Sequence, residues 1–286
     1  MTRLRRVLVT GGAGQVGTEL AAVFAAAGWE VSAPPRAELD VADRAEVHDA
    51  IEGLRPDAVV NGAAFTAVDA CEAEVDRAYR VNALGVRHLA EASRRVGAHL
   101  CHISTDYVFD GTKVGPYVEW DRTNPQSVYG RSKLAGEVEA GPEATVVRTS
   151  WVCGVHGANL IKTVLRLAAE PGRELAFVDD QRGCLTVADD LAAAILRLVD
   201  DRRSGVHHVT NQGALSWYEL VRDVLVAAGH DGGRVRPITT AELDPPRPAP
   251  RPVNSVLDNS VLRLEGLPLL PSHHDALPRL VTRLLG

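Results

Sequence analysis

The chain has 286 residues, 45% of them hydrophobic and 24% charged, and a formal net charge of −6. That is ordinary globular composition, long enough for one large or two small domains at roughly 100–200 residues each. Charge, Gly or Pro interrupts every apolar run before the ~20 residues a membrane span needs, and no Lys- or Arg-rich block offsets the acidic balance, which argues against a nucleic-acid partner.

The first residues enter a strand-like Val7-Leu8-Val9 with no apolar leader, so a cytoplasmic protein is expected. Residues 4–10, 30–33, 58–61, 99–104 and 145–149 are predicted strands. Most are unbroken apolar runs, as in parallel strands covered on both faces. Helical spacing fills 16–27, 44–53, 75–96 and 127–140 between them. Strand and helix in turn predict an α/β fold with a Rossmann-type doubly wound parallel sheet over residues 1–150. Beyond that point, helical patterns at 159–169, 187–199, 216–228 and 272–285 alternate with strand candidates at 174–178 and 205–210. They predict a smaller C-terminal α/β substrate lobe over 151–286, with segments near 180–210 free to rejoin the first domain. Six of the sixteen prolines fall within 236–252, read as a loop near the cleft. The four cysteines have no C-x-x-C spacing and are expected as free thiols.

Gly11, Gly14 and Gly17 punctuate the turn from the first strand into the first helix. Such a turn lets backbone N–H groups, here around Gln15 and Val16, approach a pyrophosphate at a helix N-terminus. No acid ends the second strand to take a ribose hydroxyl, whereas Arg36 suits a 2′-phosphate, so NADPH is expected with NADH tolerated. Asp40, Val41, Ala63 and Ala64 complete the expected cofactor contacts.

Tyr129 and Lys133 stand four residues apart on one helix face. A neighbouring ammonium is expected to lower the phenol's pKa toward the working range. Ser104-Thr105-Asp106-Tyr107 ends the preceding strand, where open α/β sheets bind ligands. Glycine turn, hydroxyl and Tyr-x3-Lys, in this order, resemble the extended short-chain dehydrogenase/reductase superfamily. Within it, STDYVFDG (104–111), YGRSKLAGE (129–137), NGAAFTAVDACE (61–72), RTSWV (148–152) and Asp180-Gln181-x-Gly183 are similar to the dTDP-4-dehydrorhamnose reductase family.

The resemblance implies NADPH-dependent reduction of a nucleotide-linked 4-keto-6-deoxysugar by a Thr105, Tyr129 and Lys133 triad, with Tyr129 and Lys133 also touching the cofactor. It further implies substrate contacts from Thr66, Val68, Ser104, Thr105, Asp106, Tyr107 and Trp151, and Arg251 is the candidate for the diphosphate. Asp106 is followed by Tyr107 rather than the glutamate of the related 4,6-dehydratases, which disfavours dehydration. Cys153 and Cys184-Leu185 depart from the family pattern and loosen the identity of the sugar. Another 4-ketoreductase, or a non-catalytic regulatory subunit, are the alternatives. Some relatives hold Mg²⁺ through three glutamates at a dimer interface. Glu19 matches one, Asp189 substitutes for another and no third is evident beside His273-His274-Asp275, so no required metal is expected. A monomer or homodimer is expected.

Overall fold

The structure is a computed structural model that describes residues 4–170 and 172–286. Strands β1 (Arg6–Thr10), β2 (Glu30–Ser32), β3 (Ala58–Asn61), β4 (His99–Thr105), β5 (Thr145–Thr149) and β6 (Gly205–His208) form one six-stranded sheet in the order β6-β5-β4-β3-β1-β2. Every pairing is parallel. The alternation of side chains along a strand explains the unbroken apolar runs. Val7, Val9 and Val60 enter one core with Leu20 and Phe24 of α1 (Gln15–Ala26). Leu8 and Val59 enter the opposite core, with Val47 and Ile51 of α2 (Arg44–Leu54) and Val86 and Leu89 of α3 (Gly85–Val96). Helix α4 (Val128–Ala140) packs on the second face.

Helix α6 (Ala188–Asp200) closes the first face against α1, with Leu191, Ile195 and Leu198 inside, and β6 extends the same sheet beside β5. Residues 188–208 therefore lie within the first sheet and its cover. The second core gathers α5 (Leu160–Ala168), α7 (Trp217–Ala227) and α8 (His273–Leu285) around Ile161, Val164, Leu220, Val224 and Leu280. Ser216 begins α7 with a capping box to Glu219, which satisfies two otherwise orphaned amides.

Three local readings change. The 75–96 helix divides into Val75–Tyr79, a wider π-type turn at Arg80–Leu84, and α3. The widened turn sends Asn82 inward, where it accepts from Phe65 N (2.8 Å) and donates to Ser132 Oγ (3.0 Å); π-bulges commonly serve such placements. The 205–210 strand stops at His208. Val235–Ile238, inside the proline-rich region, is a strand after all and pairs in parallel with Leu175–Val178. That sheet has two strands, so the missing N–H of Pro237 falls in an edge strand, which tolerates it.

The chain order reverses between β3 and β2, on either side of β1. Such a reversal opens a crevice at the carboxyl ends of the strands. The glycine turn and Thr105 both stand at that edge.

Candidate active site

The turn after β1 is shaped for close approach. Gly11 has φ +69°, and a Cβ on Gly12 would fall 2.1 Å from Ala33 O, so no larger side chain fits. Gly14 caps α1 without any side-chain hydrogen bond, leaving first-turn amides open to an anion. A groove of about 360 Å³ runs from Gly11 and Gly14 past Arg36, Asp40 and Val41 to Ala63 and Ala64. A dinucleotide fits this lining. Arg36 is ion-paired with Asp40 at 3.0 Å and its side chain is 63% exposed.

Gln15 and Val16, which follow Gly14, turn their side chains elsewhere. Val16 packs against the first core. The Gln15 side chain turns to the second lobe, donating to Val152 O (2.9 Å) and accepting from Gly154 N (2.9 Å) and Asn159 Nδ2 (2.7 Å). Only its backbone remains for the cofactor.

Ser127 caps α4 by accepting from Gly130 N. A Cβ on Gly130 would lie 2.2 Å from Tyr107 O. Glycine there lets the first turn of α4 press on the 104–107 segment. The consequence is that Tyr129 meets Tyr107 edge to face at 5.5 Å, against the segment that carries Thr105. Thr105 Oγ1 donates to Asp106 Oδ1 (3.1 Å) and accepts from Tyr107 N (3.3 Å).

Burial pushes the Tyr129 phenol up from its ordinary value, with the Thr105 hydroxyl opposing the shift and the nearby Asp106 and Tyr107 adding to it. This corrects the expectation of a phenol acidified by Lys133. The ammonium is instead held by Ile103 O at 2.6 Å and faces His102 Nε2 at 3.4 Å. Desolvation lowers Lys133 to about 8, and Glu137 counters it. Burial raises Asp106 to about 6.

A second cavity, of about 480 Å³, opens beside Tyr107 and is lined by Phe177, Gln181, Trp217, Arg247 and Arg251. Trp151, held at φ +44°, stacks on Trp217 with centroids 3.5 Å apart. Val68 packs in the cluster of Tyr107 and Tyr129, and Thr66 is exposed nearby. Ser104 is turned elsewhere: its hydroxyl donates to Glu137 Oε1 at 2.5 Å, and Glu137 forms a buried bidentate pair with Arg148. Arg251 is likewise engaged, with two 2.7 Å bonds to the carboxylate of Asp69. Cys153 sits in the second core and Cys184 contacts Leu257 O, so neither lines the cavity. All four thiols are free and buried.

Glu19 and Asp189, the two acidic residues compared above with a Mg²⁺ site, are both engaged by arginine. Glu19 and Asp189 face Arg283 at 3.9 and 2.5 Å, and Arg279 pairs with Asp190 at 2.6 Å. These ion pairs neutralise the carboxylates that such a site would use.

Sequence reading missed Asn82, His102, Arg247 and Trp217. No spacing signal marks the first two, whose roles depend on a π-type turn and on strand register. Trp217 stood within the Ser216-Trp217-Tyr218-Glu219 string that resembles the family but had no assigned role, and Arg247 was visible only as part of a proline-rich stretch.

The family model described as RmlD substrate binding domain matches residues 5–285. The chain is 44% identical to the dTDP-4-dehydrorhamnose reductase of Mycobacterium tuberculosis (strain ATCC 25618 / H37Rv), over 96% of this chain and 92% of that protein. It is similar in structure to a dTDP-4-dehydrorhamnose reductase from Clostridium acetobutylicum, with TM-score 0.94 and 38% identity over 98% of this chain and all of that one. The same TM-score relates it to the enzyme from Bacillus anthracis in complex with NADP, at 35% identity over 98% and 100% of the two chains. With this site on this sheet and these likenesses over its whole length, the chain belongs to the dTDP-4-dehydrorhamnose reductase family.

Proposed function

We propose that the protein reduces the C4 ketone of a dTDP-linked 4-keto-6-deoxysugar with NADPH, converting dTDP-4-dehydro-L-rhamnose to dTDP-L-rhamnose. The observation that carries the reading is Tyr129 packed edge to face on Tyr107, two residues beyond Thr105 at the end of β4, with Lys133 one turn further along the same helix. The relatives' printed activity and the NADP bound in one of them support the same assignment.

NADPH, when bound, supplies the hydride. Gly11, Gly14 and the open amides of α1 hold its pyrophosphate, and Arg36 takes the 2′-phosphate. Lys133 holds the nicotinamide ribose. Tyr129 acts as the acid. Because burial pushes its pKa up, the phenol keeps its proton at neutral pH, which is the form a ketone reduction needs. As negative charge develops on the C4 oxygen, the Tyr129 O–H bond breaks and the proton passes to that oxygen. Thr105 hydrogen-bonds the reacting oxygen and then the phenolate left behind. The Lys133 ammonium adds a positive charge beside it.

Dehydration lacks its second group, since Tyr107 follows Asp106 where a glutamate would be required. The two cysteine departures lie off the cavity, which favours the rhamnose precursor over a different sugar. The test is NADPH consumption with enzymatically prepared dTDP-4-dehydro-L-rhamnose, with the product identified by mass and NMR. Oxidation yielding dTDP-L-rhamnose is expected. Tight NADPH binding without oxidation by any 4-keto sugar would sink the proposal.

A further inference from the structure

The proline-rich segment carries two arginines four residues apart, Arg247 and Arg251, among Pro245, Pro246, Pro248, Pro250 and Pro252. Proline fixes φ and offers no N–H. The five prolines leave this stretch few backbone donors, and its positive charge comes from the two arginines. Both arginines line the cavity that begins at Tyr107.

Their environments differ sharply. The Arg251 side chain is 16% exposed, and its terminal nitrogens meet Asp69 Oδ1 and Oδ2 at 2.7 Å and Ala249 O at 2.7 Å. Asp69 also accepts from Ala249 N at 3.1 Å. That carboxylate neutralises Arg251 and ties the segment to the short helix Val68–Ala73. Arg247 is 58% exposed, approaches Asp69 Oδ2 only to 3.7 Å, and makes no hydrogen bond among the described residues. Two guanidiniums thus share one carboxylate, leaving a surplus positive charge at the cavity wall of a chain whose net charge is −6.

The substrate chemistry fixes where such a charge belongs. C1, which carries the diphosphate, lies across the sugar ring from C4. With C4 at Tyr129, the diphosphate emerges on the far side of the sugar. Tyr107 spans that interval: it touches Tyr129 and shares the cavity with both arginines. A planar guanidinium matches phosphate oxygens in two-point fashion.

Resting on the functional reading above, we infer that Arg247 is the residue that binds the substrate's diphosphate, while Arg251 and Asp69 form the brace that holds it at the cavity. This reassigns the role that the sequence suggested for Arg251.

The experiment compares wild type with Arg247→Ala and Arg247→Lys, using initial rates with the dTDP-keto-sugar and competition by dTDP and by thymidine. In Arg247→Ala, KM for the nucleotide sugar and Ki for dTDP rise roughly tenfold, as for loss of a hydrogen bond to a charged group. The kcat, the thymidine Ki and NADPH affinity stay within about twofold, and Arg247→Lys recovers part of the loss. Wild-type turnover with unchanged KM and dTDP Ki in Arg247→Ala overturns the assignment alone. A wild-type protein that neither binds dTDP nor turns over overturns both it and the functional reading.

Discussion

Asn61 Nδ2 donates to His102 Nδ1 across 3.0 Å, and this bond sets what Lys133 faces. The orientation of the amide is fixed, because Asn61 Oδ1 accepts from Thr10 Oγ1 (2.6 Å) and Ala63 N (3.2 Å). Burial and the nearby Lys133 keep the imidazole neutral, so its one proton is on Nε2, directed at Lys133 Nζ. A donor facing an ammonium disfavours the charged form. The geometry thus agrees with the desolvated lysine's shift down to about 8.

The free enzyme's pH profile follows. An ammonium is needed for the ribose, so kcat/KM for NADPH falls as pH rises through about 8. His102→Leu removes the opposing N–H and moves this limb upward. Initial rates across pH check both, and an unmoved limb in the variant contradicts the role given to His102.

Tyr129→Phe removes the acid while keeping the ring against Tyr107. Turnover drops by roughly 10²–10⁴, the usual worth of a positioned general acid. NADPH affinity, followed by fluorescence titration, stays close to wild type.

Arg36→Ala tests the cofactor's adenosine end. Arg36 is exposed and paired only with Asp40 among the described residues, so the fold is unaffected. KM for NADPH rises roughly tenfold, as expected for a lost charge-assisted phosphate contact, and KM for NADH does not. Equal effects on both cofactors would remove Arg36 from the 2′-phosphate.

Much of this arrangement is written locally. Four of the five predicted runs became β1, β3, β4 and β5 because strands buried on both faces need no polar alternation, whereas β2 is a short, partly exposed edge strand. Thr105, Tyr129 and Lys133 could be placed because motif spacing and strand-end position are local properties. Ser104, Gln15 and Arg251 were visible as residues but not as roles. Glu137, Asn159 and Asp69 take their side chains, and those partners lie 33, 144 and 182 residues away. Register and lobe packing decide such contacts, and neither is encoded in a short window. The π-type turn at Arg80–Leu84 was hidden for a related reason: apolar periodicity continues through it.

The Glu137–Arg148 pair is buried, its side chains 7% and 6% exposed. Glu137→Gln leaves the Arg148 charge uncompensated, costing about 3–5 kcal/mol. Thermal denaturation detects this as a clear loss of Tm. A variant as stable as wild type would show the pair to be dispensable.

Asp106 titrates in the folded protein near 6, above its ordinary 3.8, because burial disfavours the carboxylate. The folded state therefore binds its proton more tightly than the unfolded state. Ionisation costs stability above pH 6, by about 1–3 kcal/mol, and the cost disappears below about pH 4. Asp106→Asn is accordingly more stable than wild type at pH 7, with the gap closing as pH falls through that window. Denaturant melts at pH 4 and 7 decide it, and a pH-independent difference contradicts the assignment.

Hydride transfer at this site is tested by isotopic transfer from NADPH doubly deuterated at nicotinamide C4 to dTDP-4-dehydro-L-rhamnose. One deuterium at C4 of the product is expected in wild type and almost none transferred in Tyr129→Phe. Label at another carbon, or wild-type product without label, would contradict hydride transfer at this site.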